Sequence, residues 1–115
     1  MRLIALAAFA GLLANAVQAD PISGRVERDG SVAVPSPLYS VIHPSAGHYT
    51  IKFATPMEPS ASCLFFPFGT NRRGYVATVV KETESSTDCS IALKSLGRGS
   101  FHNYPFSFIA VPMSN

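Results

Sequence analysis

The run His48-Tyr49-Thr50-Ile51-Lys52-Phe53 alternates polar and apolar residues without a break. A β-strand turns successive side chains to opposite faces, so this spacing predicts Tyr49, Ile51 and Phe53 in a core and His48, Thr50 and Lys52 toward water. Cys89-Ser90-Ile91-Ala92-Leu93-Lys94 repeats the pattern, with Cys89, Ile91 and Leu93 inward. On either side of these two runs, residues 38–43, 62–66, 75–81 and 106–111 are rich in β-branched and aromatic side chains and read as further strands. Arg25-Val26-Glu27-Arg28 and Ser31-Val32-Ala33-Val34 flank Asp29-Gly30, the pattern of a hairpin with a tight two-residue turn. Pro44-Ser45-Ala46-Gly47 reads as a turn, and residues 82–88 as a polar loop.

Nine prolines and eight glycines interrupt nearly every window long enough for three helical turns. Seven or eight short strands with turn residues between them predict an all-β domain, an antiparallel β-sandwich of jelly-roll-like plan. An immunoglobulin domain fits poorly, because the chain has no tryptophan and its two cysteines stand too close together.

Residues 1–19 have the parts of a cleavable export signal, expected to be helical. Arg2 supplies the positive start, residues 3–14 are almost wholly apolar, and Val17-Gln18-Ala19 offers the small residues of a cleavage site. Ala14-Asn15-Ala16 is a second candidate cut. The apolar run is shorter than the roughly 20 residues a permanent membrane helix needs. The expected product is a single domain spanning residues 20–115, secreted or periplasmic, with no stable membrane insertion after cleavage. Arg2 leaves with the signal, so eight basic residues face seven acidic ones in the mature chain. That near balance speaks against a nucleic-acid binder working by bulk charge. Cys63 and Cys89 are the only cysteines, both in the mature part, and in an oxidising compartment they are expected to pair. If they face the core, Phe65 does too. Leu64, Phe66 and Phe68 then point the other way, and cover from within the same domain is expected for them, the alternative being another subunit.

Candidate chemistry is sparse. His43, His48 and His102 are the histidines, and they read as turn residues rather than as a zinc set. No G-x-S-x-G elbow and no phosphate-binding glycine loop occurs, and no cofactor is expected. The most suggestive feature is Gly69-Thr70-Asn71-Arg72-Arg73-Gly74 followed by Tyr75. Adjacent guanidinium groups can fork onto carboxylates, sulfates or phosphates, and a tyrosine can stack on a sugar ring. Arg72, Arg73 and Tyr75 are therefore the candidate ligand-binding residues. The function expected is a non-enzymatic binding or structural module that touches a glycan, envelope component or protein partner through its loops. The alternative is an inhibitor of a secreted hydrolase, using a loop supported by the disulfide.

Gly24-Arg25-Val26-Glu27-Arg28-Asp29-Gly30-Ser31-Val32, then Gly47-His48-Tyr49-Thr50-Ile51-Lys52-Phe53, then Ser62-Cys63 and Pro105-Phe106-Ser107-Phe108-Ile109-Ala110-Val111 succeed one another in order. The series resembles a group of small bacterial and phage-associated β modules, similar to fibre heads and C1q-like domains. The resemblance covers residues 24–111 and implies a jelly roll that works by trimeric display and binding, with no catalytic residues. Related modules often end in a cysteine, where this chain has Val111-Pro112-Met113. Cleavage after Ala19 should leave Asp20 as the first residue of the exported protein. Mass spectrometry of the intact chain reads this directly, and a mass that retains residues 1–19 would refute it.

Overall fold

The computed structural model describes residues 17–70, 73–97 and 99–113. Residues 1–16 of the expected signal, and with them the signal helix, lie outside the described residues. Seven strands form in chain order: β1 Ile22–Val26, β2 Tyr39–Ser45, β3 His48–Phe53, β4 Ala61–Pro67, β5 Ala77–Glu84, β6 Asp88–Ser95 and β7 Phe106–Pro112. They build two antiparallel sheets, β1-β7-β4 and β2-β3-β6-β5, packed as a sandwich. Among the described residues no helix is long and apolar enough to cross a membrane.

The core follows the alternation in the sequence. Tyr49, Ile51 and Phe53 of β3 and Cys89, Ile91 and Leu93 of β6 are buried, as are Cys63 and Phe65 of β4 and Phe106, Phe108 and Ala110 of β7. Phe106 is the meeting point of the sheets. Its ring lies 5.0 Å from Tyr49 of the opposite sheet and 5.7 Å from Phe65 of its own, edge to face in both cases, the geometry aromatic quadrupoles prefer. Cys63 of β4 and Cys89 of β6 form a disulfide across the interior, with Cα atoms 6.5 Å apart. The bridge is compatible with an oxidising compartment.

Three expectations need correction. The hairpin of residues 25–34 is reduced to one strand and a stub, with β1 running from Ile22 to Val26 and a lone bridge joining Val26 to Val32. The turn is also longer than two residues. Gly30 donates to the Glu27 carbonyl and Glu27 to the Ser31 carbonyl, while the Asp29 carboxylate accepts the backbone N–H and hydroxyl of Ser31. Gly30 sits at φ 88°, and a Cβ there would lie 2.7 Å from Cβ of His43, so glycine is required on two counts.

β5 reaches Glu84, into the region read as a loop, because the β5–β6 register shifts between Val79 and Lys81. The bulge makes Val80 an extra residue and reverses the phase of the strand beyond it. Lys81 and Thr83 thereby join Ala92 and Ser90 on the outer face.

Cover for the outward side chains of β4 is the third. Leu64 is 58% exposed and Phe66 54%, so no described part of the domain covers them. Phe68 does gain a lid, the Arg25 guanidinium 4.4 Å from its ring centre.

Replacing both cysteines, Cys63→Ala with Cys89→Ala, should lower unfolding stability by about 3.5 kcal/mol, the chain-entropy worth of closing a loop with the observed separation of 26 residues. Urea denaturation measures it, and an unchanged midpoint would contradict it.

Candidate functional site

The outer face of the β1-β7-β4 sheet is set by the phase that buries its inner one. Leu64 opposes Ile109, which opposes Ser23, and Phe66 opposes Ser107, which opposes Arg25. Leu64 and Phe66 are exposed, and Ile109 and Val111 are half-buried beside them. Small Ser23 and Ser107 leave the apolar side chains standing above their surroundings. Contiguous apolar groups on an open face are a common mark of a contact surface, whereas scattered ones are not.

The strip runs into a polar end. Arg25 lies over Phe68 and forms a 3.5 Å ion pair with Glu27. Both members of that pair are substantially exposed, so the pair adds little stability. An open concavity of about 650 Å³ lies here, lined by Arg25, Arg28, Asp29 and Phe68 among others. Arg28 donates from Nη2 to the Thr70 carbonyl at 3.0 Å, tying Thr70 to the turn after β1. Asp29 is held below the ordinary carboxylate range, first by the Ser31 hydroxyl and then by the Ser31 backbone N–H. Its charge thus serves its own turn.

The turn is anchored to the core from beneath. The Tyr49 hydroxyl donates to the Arg28 carbonyl at 2.7 Å, and the His43 ring stacks on the Tyr49 ring at 4.3 Å. Burial pushes the Tyr49 phenol up to about 12.

Of the residues expected to bind a ligand, Arg72 lies outside the described residues. Arg73 is exposed in the 69–74 loop, and Tyr75 is half-buried. The Tyr75 carbonyl accepts a hydrogen bond from the buried Tyr104 hydroxyl at 3.0 Å. Neither Arg73 nor Tyr75 lines the concavity beside Arg28. Arg25, Arg28 and Phe68 are the members that sequence reading missed. Arg28 comes within reach of Thr70 only through a contact 42 residues long, which no local pattern encodes.

The histidines are tied to the backbone. His43 Nδ1 lies 2.8 Å from the His48 carbonyl, His48 Nδ1 2.9 Å from the Ala46 carbonyl, and His102 Nδ1 3.2 Å from the Ser100 carbonyl. Among the described residues no three of His, Cys, Asp and Glu converge as a metal set. His102 also approaches Ser95 Oγ at 3.4 Å, but Ser95 is fully buried. Its hydroxyl donates to Tyr104, whose own proton is spent on Tyr75.

Compared with models of known protein families, with curated proteins and with solved structures, the chain matches none.

The Tyr49 anchor has a pH signature. The fold favours the neutral phenol, so its contribution to stability is whole below the ordinary tyrosine value of 10.0 and is lost as pH rises toward about 12. Thermal midpoints should hold up to pH 10 and fall above it, and Tyr49→Phe should flatten most of that fall. Identical alkaline profiles for the variant and the parent would show that another group carries the dependence.

Proposed function

We propose that the chain is an exported, non-enzymatic binding or structural module, a jelly-roll-like head that works by surface contact. Its main contact surface, on this reading, is the outer face of the β1-β7-β4 sheet, and the occupant is protein. A second copy of the chain comes first, as the trimeric display of the resembling modules implies. Gly69 and Thr70 lie at the Arg25–Phe68 end of that face, and Arg72, Arg73 and Tyr75 follow them in sequence. This loop would meet a glycan, an envelope component or part of the partner.

The observation that carries the reading is the exposure of Leu64 and Phe66 on one strand. Leaving the exposed half or so of each side chain in water forgoes roughly 0.8–1.7 kcal/mol each that burial would return. An apolar strip that holds Phe66 and ends at Phe68 and Arg25 also carries residue types enriched in interface cores. Each edge of this sheet is occupied in part. Beside β4, the Cys63 N–H donates to Glu84 Oε1 and the Ala61 N–H to the Ser85 carbonyl. Beside β1, the Ala33 N–H donates to the Arg25 carbonyl. Edges occupied in this way resist strand addition.

Light scattering on residues 20–115 should give a mass above that of one chain. Leu64→Ser with Phe66→Ser should return it to one chain with an unchanged circular dichroism spectrum, because neither side chain contributes to the core. A single-chain mass for the parent at high concentration would overturn self-association as the use of this face.

A further inference from the structure

The second sheet carries a recess on its own outer face, remote in chemistry from the apolar strip. Its register rows explain the shape. Thr50 of β3, Ser90 of β6 and Thr83 of β5 stand side by side in one row, and His48, Ala92 and Lys81 form the next. Ala92 offers only a methyl between an imidazole and a long lysine, so the sheet surface dips there. The resulting cavity measures about 260 Å³ and is lined by these six residues with neighbouring backbone and Pro44. That is room for one sugar ring rather than for a drug-sized ligand.

The polar groups that line it are disposed for a ligand rather than used up by the fold. Thr50 Oγ1 and Ser90 Oγ lie 2.8 Å apart, so one donates to the other and the pair retains one hydrogen and several lone pairs. His48 Nδ1 faces the Ala46 carbonyl, which can only accept. In the neutral ring Nδ1 is therefore the donor and Nε2 an acceptor. The ring is steadied by Phe101, 4.4 Å away centre to centre. Lys81 brings a formal charge to the lining, and among the described residues no carboxylate accompanies it there. It faces outward only because of the bulge at Val80, and bulges are a recurrent means of aiming a side chain at a site.

The geometry points to a binding site for a carboxylate-bearing sugar. Lys81 takes the carboxylate, the Thr50–Ser90–Thr83 row and His48 Nε2 take ring hydroxyls, and Pro44 receives the apolar side of the ring above a floor closed by the nearly buried Ala92. A cation beside a row of hydroxyls and a small apolar patch matches an acidic pyranose better than a bare anion or a neutral sugar. The site stands whether or not the β1-β7-β4 face is an interface.

Sodium glucuronate, with glucose and acetate as comparisons, tests this by amide chemical-shift titration of the oxidised protein. Glucuronate should shift Thr50, Lys81, Thr83 and Ser90, and should bind roughly tenfold more tightly than glucose or acetate, the worth of one charge-assisted contact. Lys81→Ala should bring glucuronate down to the level of glucose, and Arg25→Ala should leave it unchanged. Lys81 is exposed, so the variant folds; its unperturbed spectrum without ligand checks this. Acetate binding as tightly as glucuronate, shifts centred on Arg25 and Arg28, or no shifts at all would each overturn the assignment.

Discussion

The covalent bond between Cys63 and Cys89 fixes more than stability. A strand alternates faces with a period of two, so a residue pinned to the interior decides the direction of every neighbour. With Cys63 inward, Phe65 fills the core, and Leu64 and Phe66 stand outside. With Cys89 inward, Ile91 and Leu93 fill the core, and Ser90 and Ala92 form part of a recess on the opposite surface. Both candidate surfaces thus descend from one cross-link. A slip of either strand by one residue would exchange its core for its face.

The aromatic contacts add to the same constraint. Phe106 touches Tyr49 across the interior and Phe65 along its own sheet. Tyr39 meets Phe108 edge to face at 5.0 Å near the other end. Interiors packed to this density resist sliding. A Cβ on Gly24 would overlap the Tyr39 hydroxyl, so β1 needs glycine where it passes that ring. At the far end, the turn between β5 and β6 accepts the backbone N–H groups of Phe53, Met57 and Ala61 on the carbonyls of Thr87, Ser86 and Ser85. The connector after β3 is seated by those bonds and by Met57, whose side chain is fully buried.

What the sequence made legible were the elements whose information is local. The alternation of residues 48–53 and 89–94 is written in neighbouring side chains, and the structure buries the inward set of each. The cysteine phase was equally legible, since two residues sufficed to orient β4 and β6. The extent of β5 was not. Its alternation breaks at Val80, so Glu82-Thr83-Glu84 reads as a polar loop until the bulge is known. The Asp29-Gly30 turn misled for a similar reason. The Asp29 side chain bonds Ser31 and favours a longer turn than the dipeptide alone suggests. Arg25 and Arg28 were hidden as site members because their partners, Phe68 and Thr70, are about forty residues away and meet them only after folding.

The two surfaces differ in what they ask of a partner, and the fold holds them apart. The strip of Leu64 and Phe66 is apolar and gains from excluding water, so any surface of matching shape serves it. The Thr50–Ser90–Lys81 recess is polar and gains only from a ligand that returns each hydrogen bond it displaces, which makes it the more selective of the two. On the proposed reading, the first face holds on and the second discriminates. The sheets are back to back, so the discriminating side looks outward once the other is docked. A cross-link between β4 and β6 joins the strands that carry these two surfaces. Their separation is therefore as rigid as the core, and binding on one side meets a surface already formed on the other.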